Sequence, residues 1–91
     1  MFKVEKTFDG DSTVLRLVGR VKSEYLGDLK TLIADERVPV QLDLSEVTLV
    51  DLDVICFLGD YERRGIQLVN CSPYVREWIR REKTENSSQG E

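Results

Sequence analysis

Apolar and polar residues alternate, imperfectly, from Phe2 to Phe8, the pattern of a half-buried strand. Asp9-Gly10-Asp11 is a turn signal, and Thr13 to Val18 is rich in β-formers again. The two segments predict an antiparallel pair. After Gly19-Arg20-Val21-Lys22 the period changes. Ser23 offers a helix N-cap, and Tyr25, Leu26, Leu29, Leu32 and Ile33 recur at helical spacing as one apolar stripe.

Arg37-Val38-Pro39 ends that helix, and Val40 to Leu44 predicts the next strand, followed by a turn. Asp51 to Arg64 predicts a second helix with Val54, Ile55, Leu58 and Tyr61 inward. Gly65 suits its C-terminal cap, and Arg63 and Arg64 sit favourably against the helix dipole. Ile66 to Val69 is a short strand. Ser72-Pro73 opens a third helix, serine as N-cap and proline at the first helical position, with Val75, Trp78 and Ile79 buried. Lys83 to Glu91 is polar, serine-rich and aperiodic, which predicts a disordered tail.

The order β-β-α-β-α-β-α contains no internal repeat and no linker. Short connections and right-handed crossovers make the last three strands parallel. The expected class is α/β: a single-layer mixed β-sheet with sequential βα units and an N-terminal antiparallel strand. The expected organisation is one domain over residues 1–82 and a tail over 83–91.

Composition narrows function mainly by exclusion. The 91 residues suit one modest core, burying about 60–65% of the unfolded surface at this size. A net charge of −4 argues against non-specific attraction to nucleic acid or an anionic membrane. No apolar run is long enough to span a bilayer, and Met1-Phe2-Lys3-Val4-Glu5 is no signal peptide, so a cytoplasmic location is expected. Histidine is absent, which removes the usual general base and the commonest transition-metal ligand. The expectation is a non-enzyme without a cofactor.

The remaining chemistry is sparse. Cys56 reads as a small core hydrophobe and Cys71 as a buried thiol, both reduced. Asp43, Asp51 and Asp53 do not make a metal site, because no loop supplies the further oxygens that calcium needs. The glycines form no phosphate-binding loop. Trp78 reads most simply as core, although a partly exposed tryptophan would mark an interface.

Parallel strands place their carboxyl ends on one rim, the usual ligand-binding edge of such sheets. That rim collects Arg20, Val21 and Lys22, then Asp51, Leu52 and Asp53, then Cys71 and Ser72. Arg20, Lys22, Asp51, Leu52, Asp53 and Ser72 are the candidate partner-binding residues. The competing reading is that these are solvated loop residues, with Asp51 and Asp53 offsetting the positive end of the helix dipole.

The stretch Val40-Gln41-Leu42-Asp43-Leu44-Ser45-Glu46-Val47-Thr48-Leu49-Val50-Asp51-Leu52-Asp53-Val54 resembles the central signature of the STAS family, the sulfate-transporter and anti-sigma-factor-antagonist domain. Thr13 to Val21 resembles the family's second strand and its glycine-containing exit. Arg64 to Arg76 resembles its fourth strand and Ser-Pro helix entry, so the likeness runs over residues 12–80. The resemblance implies a small bacterial signalling domain in the regulation of transcription. Its implied partner is an anti-sigma factor with a kinase fold, which phosphorylates the serine or threonine after the aspartate. By position, Asp51 keeps its place and Leu52 takes that of the phosphoacceptor. Asp53 replaces a second small hydroxyl residue, and Val54 replaces a glycine.

Leucine has no hydroxyl, so the switch chemistry cannot occur at that position. The resemblance therefore implies a protein-binding regulatory module that is not phosphorylatable at the usual place, with Asp53 either a fixed negative charge or a helix cap. The alternative is a structural or self-associating STAS-like subunit of a larger signalling or transport complex. Many STAS domains end in a further strand and helix. Their absence after the third helix here leaves a sheet edge open to a homo-oligomer.

Overall fold

Gly10 takes φ +62° in a two-residue loop, a conformation that costs glycine little, and the loop folds strand β1 (Phe2–Asp9) back on β2 (Ser12–Val21). This is the expected antiparallel pair. In this computed structural model, residues 2–89 are described, with their side chains as far as residue 82. A single 3-10 turn over Ser23–Tyr25 leads into helix α1 (Leu26–Ala34). Strand β3 (Val40–Val50), helix α2 (Leu52–Arg63), strand β4 (Gln67–Val69) and helix α3 (Pro73–Gln89) follow.

The four strands lie in the order β1-β2-β3-β4, with β1 antiparallel to β2 and the rest parallel. The mixed single sheet is therefore as expected. Both parallel connections step the same way across the sheet, so right-handed crossovers lay α1 and α2 on one face. Alternation along β2 agrees: Thr13, Leu15 and Leu17 are buried, whereas Val14, Arg16 and Val18 are not. Leu42, Leu44, Leu29, Ile55, Leu58 and Ile79 complete the core on the helix side. Each fully buried aliphatic side chain contributes about 1.5–3 kcal/mol.

The other face carries polar residues joined across the strands. Asp43 accepts hydrogen bonds from the Ser45 N–H (2.9 Å), Asn70 Nδ2 (3.2 Å) and Arg16 Nε (3.4 Å). Arg16 also pairs with Glu5 at 3.6 Å, and Glu5 with Lys3 at 3.3 Å. Burial opposes the charge on Asp43, but the Ser45 and Asn70 hydrogen bonds and Arg16 outweigh it and hold its pKa low. At the opposite rim from the parallel strand ends, Thr13 Oγ1 donates to Glu36 Oε1 (2.8 Å), and Glu36 Oε2 holds Lys6 Nζ (2.6 Å).

Several expectations need correction. Strand β3 does not stop at Leu44. It runs to Val50 by absorbing two extra residues as bulges, between the partners of Arg16 and Val18 and of Gly19 and Arg20. Ser45 and Thr48 are thus strand residues, not turn residues. Ser23 is not a side-chain N-cap; it opens the 3-10 turn, and α1 begins at Leu26. That shift leaves Leu29 as the buried residue of α1 and Leu32 38% exposed.

Cys56 is exposed rather than core, because Val54, Ile55, Phe57 and Leu58 already fill the inner side of α2. The backbone of α3 is helical from Pro73 to Gln89; of the expected tail over 83–91, the side chains and all of residues 90–91 lie outside the described residues. Helical hydrogen bonds are local, so a helix nucleated by packing at Val75 and Ile79 can propagate beyond its last core contact.

Candidate functional site

Val21 pairs with Val50, so β2 and β3 end at the same level and their exits meet. The meeting point is organised by Asp51. Its backbone is extended (φ −110°, ψ 179°), and it serves as the N-cap of α2. Oδ1 accepts the Val54 N–H at 3.1 Å, and Oδ2 accepts the Ser23 N–H at 2.9 Å. One carboxylate thus caps a helix and ties the exit of β2 to that of β3. Partial burial raises its pKa, but the hydrogen bonds from Ser23 and Val54 prevail and the net shift is downward. Asp51 is held ionised.

Around this tie the rim is mixed in character. Leu52, the first residue of α2, is 49% exposed, and Leu49, near the end of β3, is 53% exposed. Arg20 pairs with Leu49 across the strands, and Lys22 follows the end of β2; both cations are exposed. Arg20, Val21, Lys22, Leu49, Val50 and Asp51 line a shallow hollow of about 270 Å³. A larger open groove of about 760 Å³ runs between α1 and α2, and its lining includes Ser23, Lys30, Asp53, Cys56, Phe57 and Tyr61. Asp53 lies on this groove and makes no capping hydrogen bond, so of the two aspartates only Asp51 is the cap.

Five of the six candidate residues therefore gather at the β2–β3 exits: Arg20, Lys22, Asp51, Leu52 and Asp53. Ser72 does not join them. Val69, the last residue of β4, pairs with Asp43, and β3 then continues to Val50. The exit of β4 lies about 20 Å of strand short of the rim, at ~3.3 Å per residue. Ser72 instead caps α3, its Oγ accepting the Val75 N–H at 3.3 Å.

Leu49 is the rim residue that reading the sequence missed. Its segment, Val47-Thr48-Leu49-Val50, carries β-propensity that would have signalled a continuing strand. The second bulge then decides which side each residue faces. Among the described residues no three Cys, Asp or Glu side chains gather as metal ligands. Cys71 is half-buried; burial raises its thiol pKa, Arg76 lowers it and Glu62 raises it, with a net upward shift. Tyr74 and Trp78 form a tilted aromatic pair on α3 at 5.9 Å, Trp78 only partly buried.

No protein-family model matches the chain, and no curated protein matches it. Among solved structures, the anti-sigma factor antagonist SpoIIAA in its unphosphorylated form is similar over 100% of both chains, with a TM-score of 0.58 and 17% identity. At that identity the likeness establishes the fold: the mixed four-stranded sheet with its helices is the SpoIIAA architecture.

Proposed function

We propose that this chain is a non-enzymatic regulatory module that binds a protein partner through the β2–β3 rim and is not switched by phosphorylation at Leu52. The observation that carries this reading is the exposure of Leu52. The residue directly after the capping aspartate is a leucine that the core does not need, since Val54, Ile55 and Leu58 fill the inner side of α2. Leu49 adds a second exposed apolar side chain at the rim, beside Arg20 and Lys22, and Asp53 lines the neighbouring groove. An apolar centre with a charged surround is the composition of a protein-binding hot spot.

The shared architecture with SpoIIAA, described as an anti-sigma factor antagonist, supports a kinase-fold anti-sigma factor as the partner class. Such a complex forms in the cytoplasm. Its regulation cannot run through an ester on residue 52, because the side chain is a hydrocarbon. Ser45 and Thr48, exposed at the two bulges of β3, are the hydroxyl residues at which any phosphate is to be sought first.

Titration calorimetry with a kinase-fold anti-sigma factor from the source organism tests the reading. Leu52→Arg should weaken binding at least about tenfold, the order of a hot-spot residue, with the thermal midpoint nearly unchanged. Incubation with that kinase and ATP should add no phosphate by intact mass. Stoichiometric phosphate on the folded chain would overturn the unswitched reading, and binding indifferent to Leu52→Arg would overturn the rim.

A further inference from the structure

Among the described residues the outer edge of β1 is unpaired, since β1 bonds only β2 and stands at one end of the strand order. The two-residue loop closes on the pair Asp9–Ser12, and in such a hairpin that pair exchanges both hydrogen bonds. Residues two apart repeat the pattern, so Thr7, Glu5 and Lys3 also direct their backbone groups at β2. The Thr13 N–H goes to Pro39 on the β3 side, which independently fixes the same phase. Phe2, Val4, Lys6 and Phe8 therefore present their N–H and C=O groups outward.

An open edge of this length invites another strand, and charged side chains normally deter it. Here the charges discriminate between registers. Two copies of β1 related by a twofold axis run antiparallel, and pleating requires outward-facing residues to oppose one another. Centring the axis at Lys3 sets Lys3 against itself; centring it at Glu5 or Lys6 does the same for those residues. Centring it at Thr7 puts Glu5 against the partner's Asp9. With the axis at Val4, Lys3 opposes the partner's Glu5, Glu5 opposes the partner's Lys3, and Phe2 lies beside the partner's Lys6. No like charges meet.

We propose that two copies of this chain associate through β1 in that register, continuing the four-stranded sheet across both molecules with the helices on one side. Val4 and its mate exchange hydrogen bonds at the axis, and Phe2 and Lys6 do so on either side. The Lys3–Glu5 pairs close on the helix-free face, where Glu5 already holds Arg16 at 3.6 Å. The Arg20–Leu52 rim takes no part, so this association stands or falls independently of the proposed function.

Sedimentation equilibrium of the full chain up to about 500 µM, a range that detects weak complexes, should show a monomer–dimer equilibrium. Glu5→Lys or Lys3→Glu alone should weaken it about ten- to thirtyfold, because two cross-strand pairs turn from attractive to repulsive. An equimolar mixture of the two variants should associate one to one as well as the native chain. So should the double variant Lys3→Glu/Glu5→Lys with itself. Hydrogen exchange at Val4 and Lys6 should slow with concentration, while Lys3 and Glu5, already bonded to β2, stay unchanged. A monomer throughout the series overturns the proposal. So does a dimer whose strength is the same in the single variants, which would place the contact on another surface.

Discussion

Removing the Asp51 carboxylate should uncouple two things at once. In Asp51→Ala the Val54 N–H loses its 3.1 Å acceptor and the Ser23 N–H its 2.9 Å acceptor. Loss of a helix N-cap costs about 0.5–2 kcal/mol. The Ser23 bond is exposed, so water replaces much of it and it adds about 0.5 kcal/mol. The total is about 2 kcal/mol, which lowers Tm by roughly 8–16 °C in a domain of this size. Asp51→Ser separates the two contributions, because serine can cap α2 but is too short to reach Ser23 as well. It should recover most of the stability while the Ser23 amide exchanges faster.

The pH dependence has the same origin. The folded pKa of Asp51 lies below its ordinary value. Its contribution is therefore complete above the unfolded carboxylate pKa and disappears as pH falls through the lower folded value. Urea denaturation between about pH 2 and pH 6 should show a steeper acid loss in the native chain than in Asp51→Asn, which keeps the cap without the charge. Asp51 is not a cap that matters if Asp51→Ala costs under about 0.3 kcal/mol, below the range for a lost cap. Nor does Asp51 tie the exit of β2 if the Ser23 amide exchanges at the native rate in Asp51→Ala.

Two further outcomes test the packing. Leu58, 1% exposed on the inner side of α2, should lose about 2–5 kcal/mol on replacement by alanine, read from chemical denaturation. Cys56 should react with a thiol reagent in the folded chain before Cys71 does, as its exposure requires. Its pKa is raised by partial burial, then by Glu82 and Asp53, so the rate should be low at neutral pH and climb with pH.

Much of the fold is legible because the signals are local. The Asp9-Gly10-Asp11 turn, the Asp51 cap, the Ser72-Pro73 helix entry and the Gly65 terminus (φ +103°) each work through residues adjacent in the chain. The helical periods of α2 and α3 identify Val54, Ile55, Leu58, Val75 and Ile79 as core for the same reason. The half-read elements are those whose limits depend on a distant partner. Strand β3 continues past Leu44 only because β2 lies beside it to receive two bulges. Cys56 reads as buried from its spacing, yet its apolar neighbours on α2 occupy the core first.

The sequence alone determines the element order, the mixed sheet, the apolar faces and the absence of a hydroxyl at Leu52, since propensity, periodicity and side-chain chemistry are properties of the chain itself. It also brings Arg20, Lys22, Asp51, Leu52 and Asp53 to one rim through the parallel arrangement. Only the tertiary structure decides that Ser72 stands apart, because strand length and register set where β4 ends. Only it shows that Leu49 faces out and that Asp51 grips Ser23, since a bulge and a 28-residue separation are resolved by packing, not by local preference.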